Sequence, residues 1–74
     1  MSEHSRIFIW HQFEQFEAAC FDRHLKLETK KECFKHLNNV VDIANAFSIC
    51  CPEDRGWMNE RLEELVEEFP ELVN

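Results

Sequence analysis

The apolar positions of the chain fall into three stretches of helical period, separated by two breaks. Between Ile7 and Leu27 they run in two stripes instead of one. Ile9, Phe13, Phe16, Cys20 and Leu27 make the main seam, and Ile7, Trp10, Ala18, Phe21 and Leu25 form a band beside it, interrupted by Glu14 and Glu17. Together they cover roughly 200° of the helix, against the ~100° stripe of an ordinary surface helix. A helix that wide needs partners on two sides. The run Ile7-Phe8-Ile9-Trp10 has β propensity, yet no later stretch offers a partner strand. It therefore reads as the first turns of the helix, with Ser5 as N-cap after a frayed start. Helix 1 is expected over about residues 6–26.

The second stretch opens at Thr29-Lys30-Lys31-Glu32, which matches a capping box: Thr29 would accept from the Glu32 amide while Glu32 reaches back. Helix 2 is expected over about 30–49. Cys33, Phe34, Leu37, Val40, Val41, Ala44, Phe47, Ser48 and Cys51 share one face, and Lys31, Lys35, Asn38, Asp42 and Asn45 lie opposite. A connection this short predicts an antiparallel hairpin with helix 1. Pro52 disfavours helical geometry at Cys51 and closes the stretch. Helix 3 is expected over about 54–69, with Glu53 and Asp54 complementing its dipole. Its seam is Met58, Leu62, Leu65 and Phe69, with Val66 beside it, and Leu72 and Val73 are placed to pack back after Pro70. The pattern thus predicts a single all-α domain over residues 1–74. It is an antiparallel helix 1–helix 2 hairpin with an acidic C-terminal helix 3.

Composition changes that picture in one respect. A core built from 74 residues is marginal, and folds of this size commonly need a disulfide, a metal or a second subunit. Seven Phe and two Trp supply large buried surfaces, while a single Gly and two Pro leave little material for turns. The width of helix 1 and the position of Trp57 off its seam favour a homodimer over a monomer. No window is long and apolar enough for a membrane span, and Met-Ser-Glu-His-Ser lacks the start of a signal peptide. The expectation is a cytoplasmic protein with reduced cysteines and no disulfide scaffold.

Charge is unevenly placed. The net charge is −7, yet residues 23–36 carry +3 and residues 53–74 carry −6. Overall acidity argues against a dedicated nucleic-acid binder, whose affinity comes largely from cancelling phosphate charge, and against an anionic membrane surface. Binding to nucleic acid through Lys26, Lys30, Lys31 and Lys35 is kept as a second alternative.

Candidate chemistry is sparse. Cys20, His24, Cys33 and His36 have ligand-like spacing, and an antiparallel hairpin would bring both pairs to the elbow as a Cys2His2 zinc set. Against this, Cys20 and Cys33 fall on core seams, where cysteine acts as a small hydrophobe. Cys50-Cys51 could be redox-active if exposed in a favourable field. Neither a nucleophile–base motif nor a glycine-rich loop is present, so the chain is not expected to be an enzyme or to need a cofactor. The acidic face Glu60, Glu63, Glu64, Glu67, Glu68 and Glu71 suits a basic protein surface. The leading expectation is a small non-enzymatic interaction module, an inhibitor, adaptor or modulator of the kind that phages and mobile elements encode. Its partner-binding residues would be Trp10, Phe21, Leu25, Trp57, Met58, Glu60, Glu64, Glu67 and Glu71. The first alternative is the zinc-stabilised hairpin.

Overall fold

The computed structural model describes residues 3–74, and these are helical almost throughout. Helix α1 spans Glu3–Phe21, α2 spans Leu27–Ala46 and α3 spans Pro52–Glu68, followed by a short 3-10 helix at Pro70–Leu72. No strand occurs among the described residues. The all-α expectation is met, while the helix ends move. Residues 3–5 are helical and not frayed, and Ser5 lies inside the first turn of α1 instead of capping it. Met1 and Ser2 lie outside the described residues.

The elbow shows why the boundaries shift. The Asp22 carboxylate accepts a hydrogen bond from the His24 amide at 2.8 Å, and the Asp22 amide donates to Ala19 at 3.2 Å. This local turn ends α1 at Phe21, since Asp side chains readily mimic a backbone turn. Lys26 then takes the N-cap geometry (φ −69°, ψ 152°) without a side-chain cap, and its carbonyl accepts the first helical bond from Lys30. Thr29 and Glu32 therefore sit inside α2, and the expected capping box does not form the helix start. Leu27 opens α2 and is exposed, so it is no part of the α1 seam.

Cross-helix contacts give an up-down-up arrangement. Cys20 lies against the Lys30 carbonyl, the Phe16 ring packs on His36 (centroids 5.2 Å apart), and Ile9 shares a groove with Val40 and Ile43. These pairings run in opposite directions along α1 and α2. Phe21 meets Phe69 edge to face at 5.2 Å, Arg61 reaches Glu17, and Arg6 reaches Asp54. So α3 runs parallel to α1. The backbones of α1 and α2 lie close together, whereas α3 reaches α1 through long side chains. The bundle is elongated, 36 × 19 × 15 Å.

The core follows the predicted seams in its middle and departs from them at the ends. Ile9, Phe13 and Cys20 of α1 are buried with Phe34, Leu37, Val41 and Ala44 of α2, with Met58 and Leu65 of α3, and with Leu72. Leu72 packs back as expected; Val73 stays exposed. Phe47, expected in the core, is 74% exposed. The cause is the way α2 ends. The Ile49 amide donates to Ala44 and the Ser48 amide to Asn45, with Ser48 at φ 52°. This is the hydrogen-bond pattern of a Schellman stop. It turns the chain at Ser48, tucks Ile49 back against the bundle and leaves Phe47 facing outward.

Candidate interaction surfaces

Two charged side chains of α3 and their partners on α1 fix the position of the third helix. Asp54 sits in the first turn of α3 and is only 1% exposed. The Arg6 guanidinium donates to it through Nε at 2.6 Å, with Nη2 at 3.5 Å from the second oxygen. The nearby Trp10 and Cys51 side chains also favour the charged form of this carboxylate. The Arg6 hydrogen bond is the largest influence and holds the Asp54 pKa below its ordinary value, against the opposing effect of burial. Further along, Arg61 grips Glu17 through two parallel N–H···O bonds, Nε at 3.0 Å and Nη2 to the other oxygen. Its guanidinium lies 5.1 Å from the Phe13 ring centre and 5.7 Å from that of Trp10.

These clamps were missed in the sequence, although a signal was there. Asp54 falls four residues before Met58, in line with the α3 seam, and a carboxylate on an apolar seam requires a buried partner. They also reassign Trp10. Its ring is half-buried, set edge to face against Phe13 at 5.6 Å and lying beside Asp54 and the Arg61 guanidinium, so it serves the fold and is not a free partner anchor. Met58 is likewise corrected, being fully buried in the core. Leu25 lies half-buried in the elbow turn. Phe21 is half-exposed against Phe69, and Trp57 is 54% exposed. Glu60, Glu64, Glu67 and Glu71 are all exposed; Glu71 belongs to the 3-10 helix and so leaves the α3 register.

The four elbow residues do not assemble as a metal site. Among the described residues no group of three or more His, Cys, Asp or Glu side chains is arranged to hold an ion. Cys20 is buried and near Cys33, His36 stacks on Phe16, and His24 is exposed in the turn. Burial, then the neighbouring Cys33 and Glu17, push the Cys20 thiol up to about 11, with Lys30 acting in the opposite direction. Burial also raises Cys50, followed by the nearby Asp54 charge. Both thiols are thus held protonated, the poorly nucleophilic form. Cys51 is exposed at the N-cap of α3. In the basic elbow, Lys30 lies over the Phe69 ring at 6.0 Å and Lys31 donates to the Asn74 carbonyl at 2.6 Å.

Two apolar grooves remain open. The first, about 460 Å³, lies between the start of α1 and the end of α2 and is lined by His4, Ser5, Phe8, Ile9, Gln12, Val40, Ile43 and Ile49. Phe8 is 60% exposed at its edge, Ile7 adjoins it in sequence, and Phe47 follows Ile43 by one helical turn. The second, about 440 Å³, lies between α2 and α3 and is lined by Phe34, Asn38, Leu62, Glu63, Val66, Glu67 and Val73. Among the described residues no helix is long and apolar enough to cross a membrane. No protein-family model matches the chain, and neither a curated protein nor a solved structure is significantly similar to it.

Proposed function

We propose that this chain is a non-catalytic interaction module that pairs with a second copy of itself and presents an acidic helical surface to a basic protein. The observation that carries the reading is the apolar end of the α1–α2 hairpin. Ile7, Phe8, Ile43 and Phe47 are all exposed there, around the groove floored by Ile9 and Ile49. Clustered apolar exposure of this kind marks interfaces more than it marks ordinary surface. The second stripe of α1 is the sequence counterpart of this surplus, since Ile7 and Phe21 of that stripe stay half-exposed in one chain.

Charge supports a second copy as the occupant. Each chain carries −7, so two copies repel wherever acidic faces meet. Among the described residues the lining of the first groove contains no Asp, Glu, Lys or Arg, which makes it a face where two copies can close without opposing like charges. The carboxylates of α3 lie elsewhere and remain available to a basic partner. That arrangement supports an adaptor, inhibitor or modulator role, and the protonated buried thiols add no nucleophile to it.

Native mass spectrometry and sedimentation equilibrium across a wide concentration range test the pairing. The wild type is expected to form a dimer, and the double variant Phe8→Glu/Ile43→Glu to dissociate at least about a hundredfold more readily. Both side chains are exposed in the single chain, so the variant should keep its helical circular dichroism. A wild type that stays monomeric throughout, or a variant that pairs as well as the wild type, would refute the pairing.

A further inference from the structure

The groove between α2 and α3 is asymmetric in a way that selects its occupant. Phe34, Leu62 and Val66 line it with apolar surface, and Val73 stands exposed beside them. Glu63 and Glu67, four residues apart on α3, put two exposed carboxylates along one wall, while the α2 wall presents the neutral Asn38. Asp54 and Glu17 are neutralised by arginines of the chain, whereas Glu63 and Glu67 are among the exposed acids left to solvent. Arg6 is committed to Asp54, Arg61 to Glu17, and Lys31 to the Asn74 carbonyl; no ion pair among the described residues engages Glu63 or Glu67.

An apolar slot between two antiparallel helices accepts the apolar edge of a third helix, read by anchors at i, i+4 and i+7. Beside a one-sided acidic wall, that third helix gains most when lysines or arginines flank its anchors on the side facing Glu63 and Glu67. A second copy of this chain fits poorly. Its α3 repeats the same carboxylates, and five of its eight basic residues lie at positions 23–35, at the far end of the hairpin from the most exposed apolar residues Phe47 and Phe8. Arg6 and Arg61 are engaged with Asp54 and Glu17. We propose that the α2–α3 groove is a docking site for an amphipathic basic helix of another protein, with apolar side chains on Leu62 and Val66 and cationic side chains on Glu63 and Glu67. This rests on the reading that the acidic surface of α3 meets a basic partner, and adds where and in what form it does so.

The test is an amide NMR titration of the full chain with synthetic helical peptides of about four turns. The first carries leucines at i, i+4 and i+7 flanked by lysines; the second replaces the leucines by serine; the third replaces the lysines by glutamate. Saturable binding of the first alone is expected, with shifts centred on Asn38, Leu62, Val66 and Val73. The variant Glu63→Gln/Glu67→Gln, altered only at exposed positions, should weaken that binding about tenfold. Equal binding of the serine peptide, or undiminished binding by the glutamine variant, would overturn the groove as the recognition site. Binding of the lysine–leucine peptide with shifts confined to Glu64, Glu68 and Glu71 would do so too, while leaving the acidic-surface reading intact. Absence of binding at low salt would remove both. Shifts at Val66 and Val73 on simple dilution of the protein would identify a second copy as the occupant, and overturn the proposal.

Discussion

Ser48 and Cys50 both have left-handed backbone, at φ 52° and 70°, in the five residues that link α2 to α3. For a residue with a Cβ this geometry costs about 1–2 kcal/mol, and glycine usually occupies it. The two positions nevertheless differ. Ser48 is exposed, so replacing it removes the steric cost and loses no packing; Cys50 is buried, so replacing it would open the core. Ser48→Gly is therefore expected to stabilise the chain by about 0.5–1 kcal/mol, after the entropic cost of glycine is subtracted. Thermal unfolding should rise by several degrees; an unchanged or lower midpoint would show that the turn is relaxed at serine. The cysteines separate by environment at the same scale. Alkylation at mildly alkaline pH should modify exposed Cys51 first, and reach Cys20 and Cys50 only on unfolding, because burial both hides these thiols and keeps them protonated. Mass-mapped labelling in which Cys20 reacts as fast as Cys51 in the native protein would contradict this.

At the scale of elements, the arginine clamps decide how α3 lies on the hairpin. The pair Arg6–Asp54 joins the first turns of two parallel helices, and the carboxylate is buried while the guanidinium stays partly in water. Asp54→Asn is expected to cost about 2 kcal/mol, the loss of hydrogen bonding to a charged group. The pH dependence has a defined sign. Because the folded pKa of Asp54 lies below the ordinary 3.8, its contribution is fully present above that value and is lost as pH falls through the lower folded value. Urea unfolding of the two proteins should therefore differ at neutral pH and converge in strong acid. Parallel curves at every pH would take the ion pair out of the stability of the bundle. The start of α2 teaches a related lesson about reading elements. Thr29-x-x-Glu32 satisfies the capping pattern, but the Asp22 turn closes α1 early and lets the next helix begin three residues before the motif can act.

At the scale of the whole molecule, a 36 Å bundle with one well-filled middle leaves apolar surface at its ends and along one groove. Among the described residues eight large hydrophobic side chains are substantially exposed, and the association proposed above rests on that surface. On the proposed reading the two grooves divide the work by charge: the first, with no acid or base in its described lining, takes an identical chain, and the acid-walled one takes a basic helix. The dimer test and the peptide titration probe these separately, so either surface can fail without the other.

The helical period of Phe13, Leu37, Val41, Met58 and Leu65 was enough to define three helices and their shared core, because local spacing alone places such residues on one face. The short elbow was enough to make the first two antiparallel. The exposed acids of α3 were equally legible, since no apolar neighbour in register could bury them. What the spacing could not carry was everything that depends on groups brought together across helices. Whether Trp10 and Met58 face a partner or the interior, whether Cys20, His24, Cys33 and His36 converge, and which acids are already neutralised are questions of tertiary placement. Arg6 lies 48 residues from Asp54 in sequence, and Arg61 lies 44 from Glu17. A pattern read along the chain reports which face a side chain occupies, whereas the charge left for a partner depends on distances that exist only once the helices have packed.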